Sequence, residues 1–462
     1  MDGLIYAYHV PKSTSQQKYT QERVAALAEL RKRDEQRKLS KESTEPIERT
    51  VSNPAIGGTS RGPQHQRNDS NGDMDVARLS VGSSSGSSTN SEYNHRQLLN
   101  NPFELRHGRR YLREVLYPLP CDLPEIHRQN LRTLLSCKVF GRPICSPNAA
   151  KNLPRRVLEI GCGSGYWSAL CHDYFSSLGH KNVAFTGLDL AHLAPDLKKQ
   201  GINWTFVQHD IRRIPLPFDD DEFDLVMLKD LSLVLPLGVP FQHFLDEAMR
   251  VLSEDGTLEI WESDHVLRSL LPHPPPPPSK QPQGQEVAVK TATFLIAPGT
   301  PFAPAQNKYL HHANTWIQEA LDRRKLPPLP CSRIAQVLYQ EPELLGDIGI
   351  RRVAIPLGEL RWERDSSRYP ADSPMSNKGK AKVSDGLLTA DQAALRQTAL
   401  LTVLQMIESL EPLLKEVSGK NTEEWSHWWA SMMADLLDPA KGALTGECLE
   451  VGAWWATKLA DE

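Results

Sequence analysis

The sequence predicts an α/β protein built on a doubly wound, mostly parallel sheet with helices on both faces. Short apolar segments with strand character alternate with helical stretches, which is typical of a parallel sheet covered on both sides. The first of these segments runs directly into a glycine-rich turn at residues 161–165, and a helical stretch, Tyr166–Leu178, follows that turn. The strand candidates are Arg156–Ile160, Ala184–Leu188, Trp204–Gln208, Phe223–Leu228 and Gly256–Trp261.

Length, charge and cysteine content limit the classes of protein. A chain of 462 residues has room for a catalytic domain and for roughly as much again in appendages. The formal net charge of −4 gives no overall basic field, so we expect no direct nucleic-acid binding. The 7 cysteines form no CxxC pair, which disfavours both a disulfide framework and a structural zinc site. Because neither a leader pattern nor a long apolar run is present, we expect an intracellular protein with no membrane partner.

Composition divides the chain into ordered and polar segments. We expect residues 1–94 to be mostly disordered, with one charged helix near 18–39, because they contain few large apolar residues. Five consecutive prolines lie within a predicted linker at 272–289, and a polar surface loop is predicted at 365–386. Three ordered parts are expected. Residues 95–271 would form the core with a helical N-terminal segment, residues 290–364 the remainder of the same domain, and residues 387–462 a C-terminal helical cover.

The glycine turn is a candidate ligand site. Gly161, Gly163 and Gly165 alternate with other residues after a buried strand, which allows the backbone to turn sharply and approach a ligand at a helix N-terminus. A dinucleotide-binding fingerprint would require a further glycine where Tyr166 stands, so a nicotinamide or flavin oxidoreductase is the less favoured interpretation. A tight turn without a ligand is the structural alternative. Cys162 lies inside the turn and belongs to the candidate site.

Acidic residues follow the next two predicted strands. Asp189, with Leu190 beside it, can accept the hydroxyl hydrogens of a ribose, or it can cap a helix. Asp210 can accept from an adenine amino group while Ile211 packs on the ring. A further acidic turn at residues 219–224 is predicted to be a solvated loop, and we expect no metal site.

In this order the motifs resemble those of the class I S-adenosylmethionine-dependent methyltransferases. Val157–Gly165 is similar to the first motif of that superfamily, Asp189 to the second, Asp210 to the third and Asp224–Lys229 to the fourth. The resemblance implies a Rossmann-like sheet of seven strands and S-adenosylmethionine as the cofactor. It also implies roles for individual residues.

By that resemblance, Glu159 and the three glycines line the methionine and ribose part of the cofactor. Asp189 would hold the ribose, Asp210 and Ile211 would hold the adenine, and Lys229 would lie at the end of the fourth strand. Glu159 replaces an aspartate that is frequent in the superfamily, a change that keeps the carboxylate.

The flanking sequence is similar to fungal methyltransferases of the LaeA and UMTA type. The similar stretches are Arg106–Tyr111, Leu116–Pro120, the Glu125–Leu135 helix, Tyr309–Leu321, Ile355–Gly358 and Leu400–Leu414. The resemblance places Tyr111 over the cofactor, where its ring could contact the sulfonium by a cation–π interaction, or could simply pack within an N-terminal helix.

These features predict an enzyme, a methyltransferase of class EC 2.1.1.-, acting on a small-molecule or protein acceptor. The alternative is a regulatory subunit that keeps the fold and acts through protein partners. Positioning supplies much of the rate of methyl transfer, so no catalytic residue is assigned. If the acceptor carries a proton, His209, His243 and His265 are candidate bases, or else surface or packing histidines. The basic run Arg31–Arg33 is either a nuclear import signal or a solvated helix face, so we expect cytoplasm, nucleus or both.

Overall fold

The protein is described here as a computed structural model. It describes residues 96–113, 116–236, 238–272, 282–363, 388–438 and 444–460. The predicted disorder within 1–94, the charged helix near 18–39, the whole of the 365–386 loop and the proline run lie outside these residues. The last part of the predicted linker at 272–289 is described. It is helical and belongs to a helix that begins at Pro282.

The described strands and helices follow the alternation that the sequence predicts. The strands are β1 (Phe103–Arg106), β2 (Arg109–Leu112), β3 (Arg156–Ile160), β4 (Ala184–Asp189), β5 (Trp204–Gln208), β6 (Phe223–Lys229), β7 (Leu252–Ser263), β8 (Arg268–Leu270), β9 (Phe294–Leu295), β10 (Phe302–Pro304), β11 (Leu345–Pro356) and β12 (Glu447–Lys458). The α-helices are α1 (Leu123–Phe140), α2 (Pro147–Lys151), α3 (Tyr166–Ser177), α4 (Val239–Val251), α5 (Pro282–Thr291), α6 (Lys308–Asp322), α7 (Ile334–Leu338), α8 (Ala390–Ser409), α9 (Glu411–Ser418) and α10 (Thr422–Leu436).

The main sheet has a parallel half and an antiparallel half. Strands β5, β4, β3, β6 and β7 lie side by side in this order and are all parallel. The five predicted strands thus form a parallel sheet, within a few residues of their expected bounds. The chain passes from β3 to β4 on one side and later returns to β6 on the other side of β3. The carboxyl ends of β3 and β6 therefore form a topological switch point, where ligands bind in folds of this kind.

The sheet is larger than expected. It contains 10 strands, not the seven that the family resemblance implies, because β8 to β12 extend it beyond β7 by antiparallel pairing. The β1–β2 hairpin forms a separate sheet of 2 strands. The doubly wound α/β class is confirmed, and β3 to β7 form its parallel part.

Both faces of the sheet carry a core. On β3, Val157 packs into the cluster that includes α3, α6, α8 and α10, whereas Leu158 and Ile160 pack into the cluster that includes α4 and α7. Successive side chains of a strand point to opposite faces, so buried residues at consecutive positions require cover on both sides. No helix in the described part of the chain is long and apolar enough to cross a membrane.

The C-terminal region is not wholly helical. The helices α8, α9 and α10 agree with the predicted cover, but residues 447–458, which were expected to belong to it, form β12 between β7 and β11. Nearly every position of β12 is buried, so its sequence lacks the polar–apolar alternation that identifies a half-buried strand. A short apolar run of this kind does not distinguish a strand from a buried helix.

The N-terminal segment of the core also differs from the prediction. A helical segment was expected, whereas residues 103–112 form the β1–β2 hairpin. Its two-residue turn consists of His107 and Gly108, with φ of 50° and 74°. Two consecutive positive φ values are typical of the tight turns that match the twist of a hairpin. The following helix, predicted at Glu125–Leu135, is confirmed by α1, which begins after the capping residue Asp122.

We expect Trp454→Ala to destabilise the protein by about 3–5 kcal/mol, the usual cost of truncating a large buried aromatic side chain. Trp454 lies at the centre of β12 and is 0% exposed, so its loss leaves a cavity in the sheet core. Urea unfolding measures the change, and Tyr339→Ala, at a side chain that is 57% exposed, is the control. A Trp454 variant as stable as the control would show that β12 is not part of the cooperative core.

Candidate functional site

The glycine turn after β3 adopts the conformation for which glycine is needed. Gly161, Gly163 and Gly165 have φ of 69°, 51° and 65°, in the left-handed region that side chains disfavour. The amides of Gly161 and Cys162 donate to the Leu188 carbonyl oxygen at 2.8 Å and 3.1 Å, which fixes the turn against β4.

The three glycines differ in their surroundings. A Cβ on Gly161 would lie 2.7 Å from a methyl carbon of Leu231, and one on Gly165 would lie 2.9 Å from a methyl carbon of Leu197. A Cβ on Gly163 would meet only the amide oxygen of Gln129, at 3.7 Å. The backbone at Gly163 is therefore the part of the turn that a ligand can approach.

A cleft that is open to solvent lies at the carboxyl edge of the parallel strands. The structure brings most of the predicted site residues into its lining. These are Gly161, Gly163, Asp189, Leu190, Asp210, Ile211 and Lys229. They come from the ends of four adjacent strands, as the topology of a doubly wound sheet requires.

Four predicted site residues do not line the cleft. Cys162 points inward toward Gly187, and Gly165 packs near Trp204. Glu159 is buried beneath the turn. Tyr111 lies on β2, where the Arg106 guanidinium covers its ring at 4.6 Å. The Arg106 guanidinium thus occupies one face of the ring, and the contact of Tyr111 with the cofactor stays a prediction.

Asp189 connects the turn to the cleft. Its Oδ2 accepts a hydrogen bond from the Gly163 amide at 2.8 Å, and its Oδ1 accepts from the Ala191 amide at 3.4 Å. Burial raises the pKa of Asp189, although these backbone hydrogen bonds act in the opposite direction. The carboxylate thus supports the turn and also presents acceptor oxygens to the cleft.

Asp210, at the end of β5, is held by a neighbouring arginine. Nε and Nη2 of Arg212 donate to its two carboxylate oxygens at 2.9 Å and 2.7 Å, and the Arg212 amide donates at 3.1 Å. A ligand amino group would share this carboxylate with the guanidinium. Sequence reasoning missed Arg212, since an arginine two residues after an aspartate is unremarkable without the fold. Ile211 lines the cleft beside this pair.

A third acidic group lies at the end of β6, where Asp230 adopts a left-handed φ of 58°. Its carboxylate pairs with Arg132 of α1 and with Lys229, whose Nζ is 3.0 Å away. Burial alone would raise the pKa of Asp230, but Arg132 and Lys229 outweigh it and hold that pKa well below the usual range. Asp230 was not predicted, although the rule that identified Asp189 and Asp210, an acid at a strand's carboxyl end, applies to it equally.

Helix α1 covers the cleft with a buried polar network. Arg128 forms a bidentate pair with Glu125, at 2.9 Å and 2.6 Å, and Ser409 of α8 donates to the same carboxylate at 2.8 Å. Gln129 donates to the Tyr117 hydroxyl at 2.9 Å. Every charge in this network has a partner, which keeps the wall of the cleft in one arrangement.

Among the three histidines considered as bases, the structure places His265 in the cleft. His243 is exposed on α4, and Nε2 of His209 lies 2.8 Å from the Arg213 carbonyl oxygen outside the cleft lining. His265 is 3% exposed, and burial together with Arg132 lowers its pKa to about 3.

A buried group elsewhere combines potential metal ligands with arginines. Atoms of Asp264, Cys331 and Glu450 lie within 4.8 Å of one another. Arg268 pairs with both carboxylates and Arg352 pairs with Glu450. The arginines neutralise the acids, so this cluster is explained as an ion-pair network that joins β12 to β8 and β11.

Comparison with known proteins supports the family resemblance. A family model described as a methyltransferase domain matches residues 157–256, which span β3 to the middle of β7 and include the turn, Asp189, Asp210 and Asp230. The matched segment is a methyltransferase domain, and its motifs are those of the class I methyltransferases. The cofactor of this family is S-adenosylmethionine, as the sequence predicts.

The proteins to which this chain is similar include a fungal one. This chain is 28% identical over 132 residues to the secondary metabolism regulator LAE1 of Cochliobolus heterostrophus. The aligned residues cover 27% of this chain and 40% of LAE1. The match thus spans less than half of the relative. It supports the similarity to LaeA-type proteins that the flanking sequence predicts.

Two solved structures are also similar. The PH0226 protein from Pyrococcus horikoshii is 25% identical, with 30% of this chain and 58% of that one covered and a TM-score of 0.23. Phosphoethanolamine N-methyltransferase 2 from Haemonchus contortus is 13% identical, with 72% and 58% covered and a TM-score of 0.32. The assignment of the methyltransferase fold rests on strand order and the domain match, not on these alignments.

Glu159 is the buried acid of the first motif. Its Oε2 accepts from the hydroxyl and the amide of Ser168, at 2.7 Å and 3.3 Å, whereas Oε1 is buried without a hydrogen-bond partner. Burial raises the pKa of Glu159 to about 7. The ionised form is thus disfavoured in the folded protein.

Replacing Glu159 by glutamine should change how stability depends on pH. Because the folded protein holds the Glu159 proton more tightly than the unfolded chain does, wild type is most stable below the unfolded pKa of 4.5. The free energy of unfolding then falls as pH rises, until Glu159 is ionised in the folded protein above about pH 7. We expect Glu159→Gln to gain on the order of 2–3 kcal/mol relative to wild type between about pH 5 and pH 8. Urea unfolding at both pH values measures this, with the exposed Glu254→Gln as the matched control. Equal pH dependence in all three proteins would contradict the assignment.

Proposed function

We propose that the cleft binds S-adenosylmethionine across the switch point and presents its methyl group to an acceptor near the ends of β6 and β7. The observation that carries this proposal is the Asp189 carboxylate, which lines the cleft while it holds the Gly163 amide at 2.8 Å. An acid at this strand end, beside a glycine backbone that a ligand can approach, fits a ribose diol.

The residues present fit the cofactor. The approachable backbone at Gly163 leaves room next to the turn, and Leu190 and Ile211 supply apolar contacts for an adenine. Asp189 would hold the ribose hydroxyls, and Asp210 would receive the adenine amino group beside Arg212. Lys229, Asp230 and Arg132 would face the methionine part, since they lie at the next strand end beyond the turn. Glu159 would act from beneath the turn by shaping it.

When bound, S-adenosylmethionine supplies a methyl group on a positively charged sulfur, which a nucleophile can take in line. The protein's contribution is then to orient the acceptor and to exclude water, and α1 with its paired network provides the rigid wall that both tasks need. The acceptor would be a small molecule or a protein.

A regulatory role is part of the proposal. It is supported by the similarity to LAE1, which is a regulator of secondary metabolism. Methylation of an acceptor by this chain would either control another process or itself be controlled. Protein partners would contact the surface outside the cleft.

The affinity for S-adenosylmethionine tests the proposal through two variants of one residue. Asp189→Ala should weaken binding by about 1–3 kcal/mol, because it removes the acceptor for the ribose. Asp189→Asn should weaken binding to a similar extent but keep the turn, since the amide oxygen can still accept from Gly163. Calorimetric titration measures affinity, and NADH titrated into the wild type is the ligand control.

The two variants separate ligand contact from structural support. If only the alanine variant loses affinity, Asp189 acts through the turn alone. Unchanged affinity in both variants, or binding of NADH in preference to S-adenosylmethionine, would contradict the proposed site.

A further inference from the structure

The carboxyl edge of the sheet divides the cleft into two ends. Asp189 and Asp210 lie after β4 and β5, on one side of the switch point. Asp230 and His265 lie after β6 and β7, on the other side. If the nucleoside occupies the first side, as proposed above, the acceptor must come from the second side, where His265 lines the cleft.

His265 is the end of a buried hydrogen-bond chain. Its Nε2 lies 3.2 Å from the Ser232 hydroxyl oxygen, and that hydroxyl donates to Oε2 of Glu262 at 2.8 Å. The Ser232 amide donates to Oε1 of the same carboxylate at 2.8 Å. With Glu262 ionised, the serine proton is directed to that carboxylate and Nε2 of His265 donates to the serine oxygen. Burial raises the pKa of Glu262 to about 7, so this arrangement prevails above that pH.

This arrangement leaves Nδ1 of His265 as an unprotonated acceptor. Among the described residues, none forms a hydrogen bond with Nδ1. Nδ1 is also absent from the set of unpartnered polar atoms that are fully buried, so it retains some exposure. It is therefore the ring nitrogen left to face the cleft. The backbone of His265 is fixed independently, since its amide donates to the Pro328 carbonyl oxygen at 3.0 Å.

The charged groups around His265 keep the ring neutral. Arg128 and Arg132 face it from α1, and their charges together with burial lower its pKa, while Asp230 from the end of β6 acts in the opposite direction. A ring that stays neutral at ordinary pH is always in the form that can accept a proton.

We infer that His265 is the general base of this methyltransferase and that the acceptor is a neutral hydroxyl compound, a phenol or an alcohol, bound at the β6–β7 end of the cleft. This inference rests on the proposed function. The apolar side chains of Leu231, Leu233 and Val234 line the same end of the cleft and would hold the body of such an acceptor.

The step is balanced as follows. An electron pair of the hydroxyl oxygen forms the bond to the methyl carbon, and the pair of the broken carbon–sulfur bond remains on sulfur. The electron pair of the O–H bond stays on oxygen when the proton passes to Nδ1 of His265. The Nε2 proton can then move to Ser232 as the serine proton moves to Glu262, so the charge does not stay on the ring. An oxygen gaining a methyl group becomes strongly acidic, so a base of low pKa is sufficient.

Nitrogen NMR of histidine-labelled protein tests the state of the ring without turnover. The His265 signals, identified by their loss in His265→Asn, should show a neutral ring protonated on Nε2 at about pH 8, above the raised pKa of Glu262. Ser232→Ala should disturb this tautomer because it removes the acceptor of Nε2. A ring protonated on Nδ1, or one that titrates near the ordinary histidine pKa, would overturn the inference.

Transfer of labelled methyl from S-adenosylmethionine tests the catalytic role. The probes are phenol and benzyl alcohol, which are neutral at pH 8, and 4-nitrophenol, which is largely ionised there. His265→Asn should slow transfer to the neutral probes by about 10²-fold, the low end of general-base catalysis because the pKa of His265 lies far below the operating pH, and slow transfer to 4-nitrophenolate far less. His265→Gln is the second variant, and His243→Asn on the exposed face of α4 is the matched control.

Calorimetry distinguishes this inference from the proposed function. His265→Asn should bind S-adenosylmethionine within about twofold of wild type, because the ring lies at the acceptor end. Cofactor binding with no transfer to any hydroxyl probe by the wild type would overturn the acceptor class, and equal slowing with all probes would overturn the role as base. Absence of cofactor binding in the wild type would instead refute the proposed function.

Discussion

The hydrogen bond from the Gly163 amide to the Asp189 carboxylate joins the turn after β3 to the end of β4, and the shape of the cleft depends on it. A glycine turn with three positive φ values has little intrinsic reason to hold one conformation, since glycine loses more backbone entropy on folding than other residues. The bonds to the Leu188 carbonyl oxygen and the Asp189 carboxylate supply that restraint. The acid that stabilises the turn is consequently fixed at the point where a ribose would lie.

Electrostatics distinguishes the two ends of the cleft. At the β4–β5 end, Asp189 receives only backbone hydrogen bonds and keeps acceptor capacity for a ligand. At the β6 end, Asp230 is compensated by Arg132 and Lys229, and α1 contributes a further buried pair. Buried charges that are paired and hydrogen-bonded hold their positions without reorganisation, which is what a site that orients the methionine part of a methyl donor against its acceptor needs. The neutral His265 lies among these paired charges.

Much of the fold and part of the site could be predicted from the sequence. Strands β3 to β7 were recognisable because each is a short apolar run next to a helical stretch, and Asp189 and Asp210 because each directly follows such a run. β12 was not recognisable, since a strand buried on both faces has no alternating pattern and pairs with residues nearly 190 positions away in sequence, such as Ser263 with Val451. The contact of Arg106 with the Tyr111 ring and the ion pair of Arg212 with Asp210 also could not be predicted. Both depend on side-chain geometry, which the spacing of residues in the sequence does not give.

A crystal structure with bound S-adenosylhomocysteine would test the central claim, that the switch point separates a nucleoside end from an acceptor end. The account predicts the ribose hydroxyls within hydrogen-bond distance of Asp189, the adenine beside Ile211, and the sulfur directed toward the end of the cleft that holds Asp230 and His265. A ligand bound with its adenine at the β6–β7 end, or outside this cleft, would contradict it.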